Sequence, residues 1–165
     1  MTSNQLSIRL PPDFDERYPG ASANATEAAM NLARAGDLLV RRIAELVEPF
    51  DLSPSSALAL AALADSTAPL PPSEIAERLI LSRASVTSLL DSLEKSGYVR
   101  RTAHPTDRRM ILIELTDSGR RIAHEFRLVV HRKQKEWMGI LSENERRQLT
   151  DMLHRLQTSL ANEET

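Results

Sequence analysis

The fold is decided by Pro72-Ser73-Glu74-Ile75-Ala76-Glu77-Arg78-Leu79-Ile80-Leu81-Ser82-Arg83-Ala84-Ser85-Val86-Thr87, which runs on through Leu93-Glu94-Lys95-Ser96-Gly97-Tyr98-Val99. Proline inside a first turn starts one helix near Ser73, and Ser82 is placed to cap a second that runs from about Arg83 to Ser96. Ala76 is small enough to let the two helices approach, and the Leu79 to Ser82 link is short enough to set them at a steep angle. Val86, Leu89, Leu90 and Leu93 recur at spacings of three, four and seven, so they share one helical face. Ser82, Arg83, Ala84, Ser85, Thr87, Ser88 and Lys95 fall away from that stripe. Short hydroxyl and methyl side chains let a helix lie deep in a major groove against base edges and thymine methyls.

Downstream, Gly97 ends the second helix and Tyr98 to Thr102 reads as a strand, with Met110 to Leu115 as its partner. Between them, His104-Pro105-Thr106-Asp107-Arg108-Arg109 is a turn-rich loop with a basic end, projecting as a wing. A guanidinium at a hairpin tip suits the negative potential of a narrow minor groove, and Asp107 is placed to orient it through a charge-assisted contact. The fold class expected is therefore mainly α with a small β-wing, a winged helix-turn-helix.

Upstream, residues 1–24 hold Pro11, Pro12, Pro19 and Gly20 and read as an irregular arm of the kind that drapes over a partner subunit. Over residues 25–50, Leu32, Leu39 and Leu46 recur every seven positions, each followed four later by Gly36, Ile43 or Phe50. Three heptads exceed what a small core requires, which favours packing against a second chain over an intrachain core helix. Ser53-Pro54 starts a helix through about Asp65, and prolines at 69, 71 and 72 separate it from the next. Residues 51–116 form the winged lobe. Residues 117–165 hold two long helices, about Asp117 to Met138 and Glu143 to Ala161, the latter opened by a Ser142 to Glu145 capping box and striped with Leu149, Met152, Leu153, Leu156 and Leu160. The helices at both ends are read as dimerisation helices.

The net charge of −2 argues against a chain basic throughout. Residues 83–109 nevertheless carry six cations against three anions, leaving −5 on the remainder, so any affinity for a polyanion is local. The absence of cysteine removes disulfides, thiolate metal sites and thiol redox sensing. The apolar run from Ala57 to Ala64 is far short of the roughly 18 residues of a membrane span, and the N-terminus lacks a signal-peptide pattern, so the expected location is the cytoplasm. His124 and His131 lack the neighbours a metal site needs, and neither a metal nor another cofactor is expected. Trp137 and Phe126 either line a ligand pocket or pack as core and dimer contacts, the commoner outcome. No nucleophile elbow, phosphate loop or plausible triad is visible, so no enzyme is expected.

Glu74-Ile75-Ala76-Glu77-Arg78-Leu79, Ser82 to Thr87, Leu93 to Val99, Asp107-Arg108-Arg109 and Leu115-Thr116-Asp117-Ser118-Gly119 together resemble, in order and spacing, the MarR (multiple antibiotic resistance regulator) family. The resemblance is strong over nearly fifty residues and extends weakly over most of the chain. It implies a homodimer that binds double-stranded DNA as a transcriptional regulator, a repressor rather than an activator. It also implies a small-molecule effector, often phenolic or aromatic, between the DNA-binding lobe and the dimer helices. By the same resemblance Arg109 enters the minor groove braced by Asp107, and Ser82 to Ser88 face the major groove. Two departures stand out. Ile80 sits where glycine is common, so the turn is expected to avoid a positive backbone angle, and Ser88 and Ser92 stand where arginine is common. Phosphate contacts are then expected from Arg83, Lys95, Arg100, Arg101 and the wing residues Thr106, Arg108 and Arg109. A winged-helix module that dimerises and binds protein instead of DNA is the alternative.

Overall fold

The structure, a computed structural model, describes residues 7–107 and 109–163. Among the described residues, seven α-helices and one hairpin follow in the order α1 (Phe14–Arg17), α2 (Ala23–Val47), α3 (Pro54–Asp65), α4 (Pro72–Leu79), α5 (Arg83–Lys95), β1 (Val99–Ala103), β2 (Ile111–Leu115), α6 (Asp117–Trp137) and α7 (Glu143–Glu163). Helix starts follow the sequence signals closely. Ser53 Oγ accepts the Ser56 N–H at 3.1 Å with Pro54 in the first turn. At α7 the capping box closes both ways: Glu145 Oε2 accepts the Ser142 N–H at 2.7 Å, and Ser142 Oγ accepts the Glu145 N–H at 3.3 Å.

The core is continuous through the winged lobe and into α6. Val47, Leu60, Ile75, Val86, Leu90, Val99 and Ile113 are almost wholly excluded from solvent, and Phe50 meets Phe126 edge-on with ring centroids 6.4 Å apart. Phe126 is therefore a core residue and Trp137 is half-buried at the end of α6. The hairpin pairs antiparallel from Val99↔Leu115 to Ala103↔Ile111. Leu70, in the link before α4, adds a third rung: it exchanges backbone hydrogen bonds with Ile113 at 3.0 and 2.8 Å. The wing is thus anchored to the helical lobe through main chain as well as side chains.

The terminal helices differ sharply from this core. Val47 is the one buried residue of the 25-residue α2, and no described side chain of α7 is buried. Met30, Leu32, Leu38 and Val40 on α2, and Met152, Leu156 and Leu160 on α7, are exposed. Among the described residues nothing covers these apolar faces, which is the mark of an interaction surface.

The arm is more ordered than an irregular reading implies, and its described part lies on its own helix. Ile8 donates its N–H to Asn31 Oδ1 at 2.8 Å and accepts from Asn31 Nδ2 at 2.9 Å. The Leu10 N–H reaches Glu27 Oε1 at 2.7 Å, and Arg9 pairs with Glu27 at 3.1 Å. The Leu10 amide, assisted by Arg9, holds the Glu27 carboxyl below its ordinary value despite a desolvation cost. Asp15 Oδ1 accepts the Ala23 N–H at 2.6 Å, so α2 begins two residues ahead of the expected start.

One expectation is overturned. Ile80 was expected to keep a negative angle, yet it adopts φ 52°, ψ 48° in the left-handed region. The reason is the way α4 must end. The Ile80 N–H bonds the Glu77 carbonyl at 3.2 Å and the Leu81 N–H bonds Ala76 at 3.0 Å, the paired closure that requires a left-handed residue after the helix. Two backbone hydrogen bonds at the corner outweigh the roughly 1–2 kcal/mol that a β-branched residue costs there. Gly relieves the strain but is more flexible when unfolded, so Ile80→Gly should gain about 0.5–1 kcal/mol and raise Tm by a few degrees in a thermal melt. An unchanged or lower Tm would show that the left-handed Ile80 carries no strain.

Candidate nucleic-acid interface

Helix α5 is built so that its two faces do different work. Val86, Leu90 and Leu93 are buried and Leu89 is half-buried, while Ser82, Arg83, Ala84, Ser85, Thr87, Ser88 and Lys95 are all exposed. Ser82 Oγ accepts the Ser85 N–H at 3.2 Å and lies 2.8 Å from Ser85 Oγ, which fixes the first turn. Thr87 Oγ1 donates back to the Arg83 carbonyl at 2.9 Å, so its oxygen remains available as an acceptor. At the far end Gly97, at φ 75°, closes the helix as expected.

The two strand arginines sit apart from the wing tip. Arg101 pairs with Asp91 at 2.6 Å and with Glu94, and its N–H reaches Glu94 Oε1 at 3.2 Å. Arg100 pairs with Glu114 at 2.8 Å, directly across the hairpin. Both guanidinium pKa values are raised, Arg101 chiefly by the Asp91 hydrogen bond and Arg100 by the Glu114 one. Arg101 thereby bridges the two carboxylates of α5, offsetting one of their two charges, and ties the helix to the wing. Among the described residues, Arg83, Lys95 and Arg109 have no carboxylate within ion-pair distance.

The wing loop is organised by a residue to which sequence reading gave no role. His104 Nδ1 accepts the N–H groups of Thr106 and Asp107 at 3.3 and 3.2 Å, with Thr106 Oγ1 also 3.3 Å away. A side-chain acceptor two and three residues before the N–H groups it caps is a turn signature that His104-Pro105-Thr106-Asp107 carries in sequence. Asp107 braces Arg109 by a route other than the expected one: its Oδ1 accepts the Arg109 backbone N–H at 2.9 Å. The guanidinium itself is exposed. Arg108 lies outside the described residues. Thr116 was likewise missed. Its Oγ1 donates to the Gly97 carbonyl at 2.7 Å and accepts the Gly119 N–H at 3.0 Å, locking the base of the wing to the start of α6.

Among the described residues there is no group of three or more metal-ligating side chains, and no helix is long and apolar enough to cross a membrane.

Comparison with known proteins agrees with this geometry. The MarR family model matches residues 50–110. The chain is 30% identical over 133 residues to the HTH-type transcriptional regulator PecS of Dickeya dadantii, a match covering 79% of this chain and 80% of that one. It is 36% identical over 90 residues to the uncharacterised regulator YfiV of Bacillus subtilis, covering 54% of this chain and about half (56%) of that relative. Among solved structures, the S. aureus MepR–DNA complex matches with a TM-score of 0.74 at 23% identity, covering 79% of this chain and 96% of that one. CouR from Rhodococcus jostii RHA1 bound to p-coumaroyl-CoA matches with a TM-score of 0.75 at 24% identity, covering 82% of this chain and 95% of that one. These two likenesses concern the fold. On the length and identity of the PecS match, together with the family model over the helix-turn-helix and wing, the chain belongs to the MarR family.

Proposed function

We propose that this protein is a sequence-specific transcriptional regulator, acting as a repressor, that binds duplex DNA in the cytoplasm as a homodimer and has no catalytic role. The observation that carries the reading is the exposed face of α5, where seven small, polar or basic residues from Ser82 to Lys95 are free of the core that holds the opposite face. In this reading Ser82 to Ser88 meet base edges in the major groove, and Arg83 and Lys95 meet phosphates. Thr106, Asp107, Arg108 and Arg109 bring the wing to the minor groove. Arg100 and Arg101, already paired with acids, shape the interface more than they bind phosphate. The uncovered apolar faces of α2 and α7 support pairing with a second copy, which sets two recognition helices on half-sites about 10 base pairs apart.

Regulation follows if a small molecule binds one spacing of the two wings better than the other, since only differential affinity shifts the population. The p-coumaroyl-CoA bound by CouR gives this a precedent within the fold.

The test is binding to a 30-base-pair duplex from the protein's own promoter against a scrambled duplex, across a salt series of about 50–200 mM, with the assembly state followed by sedimentation. A dimer that prefers the promoter duplex, with affinity falling steeply as salt rises, is the expected result. Scrambled and promoter duplexes bound equally, with random-sequence selection yielding no enriched site, would favour the protein-binding module instead.

A further inference from the structure

Two turn amides of the wing converge on one ring nitrogen, and a single proton can turn that nitrogen against them. Backbone N–H groups only donate, so His104 Nδ1, 3.3 Å from the Thr106 nitrogen and 3.2 Å from that of Asp107, must present its lone pair, which places the ring proton on Nε2. The His104 main chain is itself fixed, with its N–H on the Met110 carbonyl at 3.1 Å. From the imidazole the contacts run on to the wing tip. Asp107 accepts the Arg109 N–H on Oδ1 at 2.9 Å and the Met110 N–H on its carbonyl at 3.0 Å. His104 therefore acts on Arg109 through Asp107.

Asn or Asp before a proline is the ordinary way to start such a turn, with its side-chain oxygen accepting N–H groups further along the chain. His104 before Pro105 puts an imidazole nitrogen in that place. The exchange matters because histidine, unlike asparagine, ordinarily changes charge between about pH 5 and 8. Protonation makes Nδ1 a donor, so that three N–H groups then face one another. Among the described residues, no carboxylate lies within ion-pair distance of the ring to offset the new charge. Asp107 is turned to the Arg109 amide, Arg109 adds a like charge to the same loop, and the pairs of Arg101 with Asp91 and Glu94 and of Arg100 with Glu114 lie further back along the hairpin. Met110 and Ile111, which bring β2 to the loop, do not titrate.

We propose that His104 is a proton-sensitive positioning residue for DNA binding: neutral, it holds the turn that carries Arg109 to the groove, and protonated, it releases the Thr106 and Asp107 amides and weakens the complex. This rests on the DNA reading above and adds pH control to it. The sign is fixed by which form the complex favours. Affinity is full above the histidine range and falls as pH drops through it. Charge alone predicts the reverse, because an added cation beside phosphates tightens binding on acidification.

The test compares promoter affinity of full-length wild type, His104→Asn and His104→Ala at about pH 7.5 and about pH 5.5, at one fixed salt concentration. Asparagine keeps a side-chain acceptor and does not titrate there, while His124, His131 and His154 are common to all three proteins, so the ratio of wild-type to His104→Asn affinity isolates His104. That ratio should fall by about fivefold or more on acidification. At the higher pH His104→Asn should bind several-fold more tightly than His104→Ala. Without DNA, the Thr106 and Asp107 amide proton resonances of the wild type should move upfield over the same pH range and stay in place in His104→Asn. A ratio that is constant or rises on acidification, with promoter preference intact, would overturn the proposal alone, as would amides that do not respond. A wild type that prefers no duplex at either pH would overturn it together with the DNA reading.

Discussion

Arg109→Ala is expected to weaken binding to the preferred duplex by roughly 1–3 kcal/mol, about five- to 150-fold, while leaving Tm unchanged. Arg109 is exposed, and among the described residues no carboxylate lies within ion-pair distance of its guanidinium, so the free protein loses nothing when the side chain is removed. Its main chain is the braced part: Asp107 holds the Arg109 N–H at 2.9 Å and His104 Nδ1 holds the two preceding turn amides. The amides of Thr106, Asp107 and Arg109 are thereby held before DNA arrives, which lowers the cost of fixing them in the complex. One lost cation should also make the salt dependence shallower by about one unit of slope. Equal affinity and an unchanged slope for the variant would mean that the wing never reaches the groove.

The largest effect on stability should come from a single added methyl group. In Gly119→Ala the new Cβ would stand 1.9 Å from the Tyr98 carbonyl oxygen, 2.9 Å from its carbon and 3.2 Å from Leu115 Cδ2. The first two obstacles are backbone and cannot turn aside as a flexible side chain would. Helix α6 and the start of β1 must therefore separate by more than an ångström. That motion pulls on the Thr116 bridge, whose hydroxyl holds Gly97 and Gly119 together, and on the Thr116 N–H to Tyr98 carbonyl bond at 3.1 Å. Overpacking of this kind costs roughly 3 kcal/mol, which in a chain of this size lowers Tm by about 6–12 °C. A melt within a degree or two of the wild type would show that the junction is looser than its geometry implies. Because the same junction sets the base of the wing, promoter affinity should fall along with stability.

These two sites illustrate what the sequence could and could not convey. Features closed within a few residues were legible: the Ser53-Pro54 start, the Ser142 to Glu145 box, and the Gly97 stop all satisfy backbone groups locally. The two-faced α5 was legible for the same reason, since a repeat of 3.6 residues records which side is buried. Ile80 misled because intrinsic preference favours a negative φ, whereas the two local hydrogen bonds that close the end of α4 select the left-handed state. Arg101 was counted with the DNA-facing cations because Asp91 and Glu94, ten and seven residues earlier, become its partners only when β1 folds back along α5. The docking of Ile8 and Leu10 on Asn31 and Glu27 is likewise a tertiary event across some twenty residues. Gly119 resembled any helix-start glycine until the Tyr98 carbonyl appeared beside it.

The scarcity of buried side chains on α2 and α7 has a genetic consequence. In the proposed pairing, a copy of this chain damaged only in the wing would keep both uncovered helices and would still join intact copies. With equal amounts of the two, random pairing leaves roughly a quarter of the pairs with two working wings. Damage to the wing should therefore behave as a dominant trait when both alleles are expressed together, whereas damage to the apolar faces of α2 or α7 should be recessive, because such a chain never enters the partnership it would spoil.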